Sequence, residues 1–198
     1  MLRVAYVTRD SCGLGHAVRG MALVLAGRRG GIAVRAFGPP KDGNLPGYEG
    51  SMGWEADVRA WQPDLLLGDL RWTALLPLKD ALGIPGWILL RRMPPDWLVD
   101  HYEFTIDRWE RRISIEPAED SAPGITHRVP PIVGPDRWRP VDGSEVRAGY
   151  SAWWESILYG WHDRVRWTTE GSPERQARID AGGEMTENGA DVLMAMIA

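Results

Sequence analysis

The sequence has one cysteine, four histidines and no apolar run that approaches the length of a membrane span. Cys12 has no second thiol within the chain, so no intramolecular disulfide can form, and the composition suits a reducing cytosol. An apolar helix needs roughly 18 or more residues to cross a bilayer, and no stretch here comes near that. The first residues enter a strand pattern at once, without the basic, apolar and small-residue order of a signal peptide. A cytoplasmic protein is expected. Positive charge is not in excess either: 23 Lys and Arg stand against 27 Asp and Glu, a formal net charge of -4. A duplex-binding protein needs a basic footprint, so none is expected, although arginines cluster locally at Arg91, Arg92 and Arg108 to Arg112.

What is present is ordinary for a soluble globular chain: 44% hydrophobic and 25% charged residues over 198 positions. That length holds one sizeable α/β domain, or one domain and a fragment of another. Eleven tryptophans are the compositional oddity. Such rings fill cores and interfaces, and they also make platforms for sugars or bases.

Hydrophobic periodicity gives the order of elements. Leu2 to Thr8 is a continuous apolar run, the pattern of a strand buried on both faces. His16 to Arg28 carries apolar residues at helical spacing and stops at Gly30-Gly31. Ile32 to Phe37 reads as a strand, and Gly38 to Gly53, rich in Gly and Pro, as a long surface loop. Asp57 to Trp61 closes a short helix before Pro63, Asp64 to Asp69 reads as a strand, Thr73 to Leu82 as a helix and Gly86 to Leu90 as a strand. Asp96 to about Arg108 is helical in pattern, and Arg112 to Ile115 and His127 to Val133 are short strands. Strands alternating with helices of ~10 residues predict an α/β fold with a Rossmann-like, doubly wound parallel sheet. In that architecture ligands bind at the carboxyl ends of the strands. Residues 1–134 form this domain, 135–143 a linker, and 144–198 a short strand and helix remnant whose last helix has an apolar stripe that packs back on the first domain.

The turn between the first strand and the first helix, G-L-G-H-A-V-R-G at residues 13–20, invites a phosphate-binding interpretation. A dinucleotide fingerprint needs a third small residue and an acid closing the second strand. Val18 stands at the first position and Phe37-Gly38 at the second. A Walker lysine is missing too. What remains is a glycine turn with a histidine on the first helical turn.

That turn resembles the N-terminal motif of the GT-B nucleotide-sugar glycosyltransferases, the family of the lipid-II-forming N-acetylglucosaminyltransferase. The likeness continues in P-D-L-L-L-G-D-L-R-W-T-A-L-L-P-L-K-D-A-L-G-I-P-G at 63–86, and in P-I-V-G at 131–134. In patches it covers R-A-G-Y-S-A-W-W-E at 147–155 and E-N-G-A-D-V-L-M-A-M-I at 187–197. The resemblance implies metal-independent, inverting transfer of a sugar from a nucleotide-sugar to a hydroxyl acceptor. No cofactor is implied beyond that co-substrate. Catalysis is expected at His16 and Asp69, and contacts to the donor and its diphosphate at Gly13, Gly15, Gly149, Ser151 and Glu155. The family's second domain is much longer, so the donor domain is strongly shortened here. A non-catalytic remnant that binds a nucleotide, sugar or partner protein in the old cleft is the alternative. A homo-oligomer or a partner-supplied donor half would complete the site.

Two roles stand for each candidate. His16 is a general base, its near-neutral imidazole suited to taking a hydroxyl proton, or it only starts a helix with its ring held by a neighbouring loop. Asp69 orients His16, or caps the helix near Thr73. Asp10 is an alternative base, and Cys12 is a reactive thiol near a helix start or a small buried one. Cys12 and His16 lack further ligands at a spacing a metal site needs. Glu155 holds the donor ribose or lies exposed on a helix.

Overall fold

A computed structural model describes residues 1–8, 15–40, 48–90, 105–115, 123–129, 132 and 189–198. The chain divides into two compact units, Met1–Ile132 with Gly189–Ala198, and Val133–Asn188. The second unit lies outside the described residues, and with it the expected linker and all of the expected remnant but its last helix.

The first unit is built on a seven-stranded, all-parallel sheet. Its strands are β1 (Arg3–Val7), β2 (Ala33–Gly38), β3 (Tyr48–Gly50), β4 (Leu65–Asp69), β5 (Gly86–Leu90), β6 (Arg111–Ser114) and β7 (His127–Arg128), in the spatial order β3-β2-β1-β4-β5-β6-β7. This is the Rossmann-like α/β class the periodicity predicts. The middle strands are apolar along their whole length because both faces are covered. Every residue of β4 and β5 is buried, as is β1 from Val4 onward.

Helices α1 (Gly15–Arg29), α2 (Trp54–Trp61) and α3 (Trp72–Leu82) connect the first five strands. α1 ends on Arg28 and Arg29, which complement the negative end of the helix dipole. Its contact with the sheet depends on Gly20. A Cβ there would lie 2.7 Å from Ala36 Cβ and 3.0 Å from the Tyr6 ring, so only glycine lets the helix settle this close. A fourth described helix, α4 (Gly189–Ile197), packs on α1 through buried Ala190, Leu193 and Met194. Asp191 accepts from Arg29 at 2.6 Å at the margin of that contact.

Three details differ from the sequence expectation. β3 falls inside the stretch read as loop, because a three-residue edge strand with two exposed positions has no detectable period. α2 reaches back to Trp54 from the closing stretch read at Asp57 to Trp61, with Glu55 and Asp57 at the favourable end of its dipole and Trp54 and Val58 buried. Near the end of the expected helix from Asp96, Ile106–Arg108 form a single 3-10 turn. The rest of that expected helix, 96–104, lies outside the described residues.

Candidate active site

The chain order changes direction at the junction of β1 and β4. From β1 the chain crosses α1 to β2 on one side, and after β3 and α2 it returns to β4 on the other. Such a switch point opens a crevice at the carboxyl ends of the two strands. β1 and β4 run in register there, with Tyr6 opposite Leu67 and Val7 opposite Gly68. Asp69, two residues beyond Leu67, therefore shares the sheet face of Tyr6, the face that α1 covers. α1 brings His16 in its first turn and Arg19 three residues later, a spacing that stacks both on one side of the helix.

Three of these side chains converge on one oxygen of the fourth, Asp69. His16 Nδ1 lies 2.8 Å from Asp69 Oδ2. Arg19 Nη1 pairs with the same oxygen, and the Tyr6 hydroxyl donates to it. The Tyr6 hydroxyl also lies 2.9 Å from the backbone carbonyl of His16, so the phenol sits between the helix start and the carboxylate with both acceptors in reach of its one proton. The cluster is dry: relative exposure is 4% for His16, 2% for Arg19 and 0% for Tyr6 and Asp69. A buried carboxylate is tolerated only when paired and hydrogen-bonded, and Arg19 supplies the charge while Tyr6 and His16 supply donors. With Nδ1 donating to Asp69, a neutral imidazole carries its lone pair on Nε2.

The backbone beyond Asp69 is unusual. Leu70 and Arg71 both adopt left-handed conformations, with φ of 54° and 60°. Each costs of order 1 kcal/mol in a non-glycine residue and persists only where its surroundings hold it. The Leu70 amide still donates to Leu89 O at 3.0 Å, and the Leu75 amide closes the first turn of α3 on Arg71 O. The chain thus turns from strand to helix within two residues, which leaves Asp69 at the crevice end of β4.

The structure brings His16 and Asp69 into direct hydrogen-bond contact. It does not make Asp69 a helix cap: Arg71 occupies the N-cap of α3, without a side-chain hydrogen bond. The His16 ring is held by the carboxylate at the end of β4. Gly15 opens α1. Gly13, Gly149, Ser151 and Glu155 lie outside the described residues, as do Asp10 and Cys12. Tyr6 and Arg19 are the members that sequence reasoning missed. The available signal was an arginine three residues from His16 in an otherwise apolar helix. Among the described residues no three His, Cys, Asp or Glu side chains gather as a metal site requires, and no helix is long and apolar enough to cross a membrane.

No family model and no curated protein matches the chain. Among solved structures it is similar to SsfS6, a Streptomyces glycosyltransferase, with 14% identity, a TM-score of 0.49, and coverage of 68% of this chain and 56% of that one. It is similar to the spinosyn forosaminyltransferase SpnP with 16% identity, a TM-score of 0.44 and coverage of 71% and 56%. For S. aureus MnaA with UDP the identity is 11%, the TM-score 0.43 and the coverage 59% and 38%. The chain therefore spans little more than half the length of the first two structures and less of the third.

Proposed function

We propose that this chain transfers a sugar from a nucleotide-sugar donor to a hydroxyl acceptor, with inversion and without a metal ion. The observation that carries the proposal is the His16–Asp69 hydrogen bond of 2.8 Å at the β1/β4 switch point. A histidine whose Nδ1 proton is held by a carboxylate presents Nε2 as a base, the arrangement expected of a base and its orienting group. In the proposed step Nε2 takes the acceptor hydroxyl proton as that oxygen forms a bond to the anomeric carbon. The bond from that carbon to the diphosphate oxygen breaks, and the nucleoside diphosphate leaves with the electron pair. Asp69 stabilises the imidazolium that forms. The resemblance assigns the diphosphate and ribose to Gly13, Gly15, Gly149, Ser151 and Glu155.

A second proposal, a binding protein that uses the same crevice without chemistry, is favoured by the depth of His16, whose side chain is only 5% exposed. The two are separated by one pair of measurements. Nucleoside diphosphates and nucleotide-sugars are screened by thermal shift, and the stabilising nucleotide-sugar is then offered with a mixture of hydroxyl acceptors. Transfer by the wild type that falls by ~10²–10⁴ in His16→Ala, with the thermal shift retained, supports the enzyme. A thermal shift without transfer supports the binding protein, and a loss smaller than tenfold removes His16 from the base role.

A further inference from the structure

We propose that Leu70 is a positioning residue that acts through Asp69. Its buried side chain holds the left-handed elbow Leu70–Arg71, and the elbow keeps Asp69 the last residue of β4 on the face that α1 covers. The catalytic meaning of this rests on the base role proposed for His16; the placement of Asp69 does not. Two successive residues with positive φ are what a type I′ turn requires, and Asn, Asp or Gly ordinarily supplies them. Here they are Leu70 at 54° and Arg71 at 60°. Neither side chain suits that backbone, so the structure on either side has to hold it. Leu70, 8% exposed, stays in the sheet ladder, its amide donating to Leu89 O at 3.0 Å. Beyond the elbow, α3 is seated by buried Trp72 and Leu75, and the Trp72 carbonyl accepts from Trp109 Nε1 at 3.2 Å. Only the elbow joins these two fixed ends.

Strand alternation explains so abrupt a turn. In a strand that ran on, the side chains at 69 and 71 would share one face. Tyr6 and Asp69 face α1, whereas Gly68 faces α3, a Cβ there lying 2.9 Å from Leu75 Cδ1. Were β4 to continue by two residues, the Arg71 side chain would stand on the α1 face directly beyond Asp69. That is beside the carboxylate that His16 Nδ1 meets at 2.8 Å. The left-handed pair instead carries the chain across to the α3 face at once, and Arg71 lies exposed at the N-cap of α3. The carboxylate therefore depends on the backbone conformation at position 70, and the buried side chain matters to it only as the means of holding that conformation.

The test separates tolerance of positive φ from burial. Leu70→Met keeps an unbranched apolar side chain. Leu70→Ile keeps the volume but is β-branched, which opposes positive φ, while Leu70→Gly loses the side chain and accepts positive φ freely. The full chain is labelled with ¹⁵N-histidine and followed by NMR, the His16 ring signals being assigned by their loss in His16→Gln. Solvent exchange of the proton on Nδ1 reports its hydrogen bond to Asp69. Exchange in Leu70→Met and Leu70→Gly should stay within about threefold of the wild type, and in Leu70→Ile it should be roughly 5–30 times faster, the factor that a left-handed penalty carries. Melting temperature should follow burial instead, and fall most in Leu70→Gly. A wild type without a protected Nδ1 proton, exchange that is fastest in Leu70→Gly, or Leu70→Ile exchange equal to the wild type overturns the proposal. Should Leu70→Ile fail to fold, Arg71→Val and Arg71→Gly decide it. Both lose the same guanidinium, and exchange should be faster in the valine variant; equal rates overturn the proposal. No substrate is needed, so a failure of the base role in His16→Ala leaves this result standing. Where transfer is measured, the loss in Leu70→Ile should fall on kcat, and an unmoved kcat refutes the positioning role.

Discussion

Asp69→Asn keeps the shape of the β4 terminus and removes only its charge, so it asks how far the buried cluster is held by charge balance. In the wild type the Arg19 guanidinium meets the Asp69 carboxylate in an ion pair. In the variant Arg19, 2% exposed, keeps its charge with no anion on β4 to meet it. Removing one partner of a buried pair costs about 3–5 kcal/mol. The Coulomb scale agrees: unit charges about 4 Å apart at an effective dielectric of 20 interact by about 4 kcal/mol. Against a total stability of about 5–15 kcal/mol, that is a large fraction. Arg19→Met should cost less, since His16 can protonate and take over the pairing. The double variant carries neither charge. Its loss should be smaller than the sum of the single losses, with a coupling of about 2–3 kcal/mol for residues sharing one oxygen. Urea unfolding followed by tryptophan fluorescence at pH 7.5 measures all three. Losses that add to within ~0.5 kcal/mol, or an Asp69→Asn cost below ~1 kcal/mol, would refute charge balance as what holds the cluster.

Leu193→Ala on α4 removes a side chain that is 0% exposed, and should cost about 2–5 kcal/mol in the same unfolding assay; a cost below ~1 kcal/mol would show that α4 contributes little to the unit. Gly68→Ala would place a Cβ 2.7 Å from Ile88 Cδ1 and 2.9 Å from Leu75 Cδ1, and should cost about 1–3 kcal/mol, read as a lowered melting temperature. Burial pushes the Glu110 carboxyl up, but hydrogen bonds from Lys79 and the Gly86 amide outweigh it and hold the group below the ordinary 4.5. A depressed folded value contributes stability that is present above the unfolded value and lost as pH falls through the folded one. Glu110→Gln should therefore cost a few tenths of a kcal/mol at neutral pH, discounted because the side chain is 49% exposed, and the difference from wild type should close on acidification below 4.5.

The central sheet was legible because burial on both faces leaves only one kind of sequence. The runs at β1, β4 and β5 are apolar at consecutive positions, and glycine or proline marks the ends of several elements. Strand order was less accessible, since periodicity fixes each strand and not its neighbours. β3 was invisible for a different reason: Tyr48–Gly50 gain their pairing from β2, opposite Ala36 to Gly38, rather than from any pattern of their own. The sequence leaves the start of α2 open between Gly53 and Asp57, because the loop composition stops before Trp54 and only the fold shows that this residue is buried as the first of the helix.

The candidate site divides along the same line. His16 and Asp69 could be picked out because each stands where an apolar run ends, the position from which a side chain reaches the crevice. Tyr6 and Arg19 lie inside apolar runs, where a single polar residue looks like an amphipathic side chain reaching for the surface. Only the pairing of β1 with β4 shows otherwise. With Tyr6 opposite Leu67, the phenol is one pleat from Asp69, and the close seat of Gly20 lowers α1 until Arg19 meets the same carboxylate. A buried arginine needs that carboxylate, and the carboxylate, shared by Arg19, is left to fix the imidazole's tautomer without needing its charge. His16 is thus held by a carboxylate that a guanidinium and a phenol also reach, and a proton accepted at Nε2 would form an imidazolium beside an anion already placed to meet it.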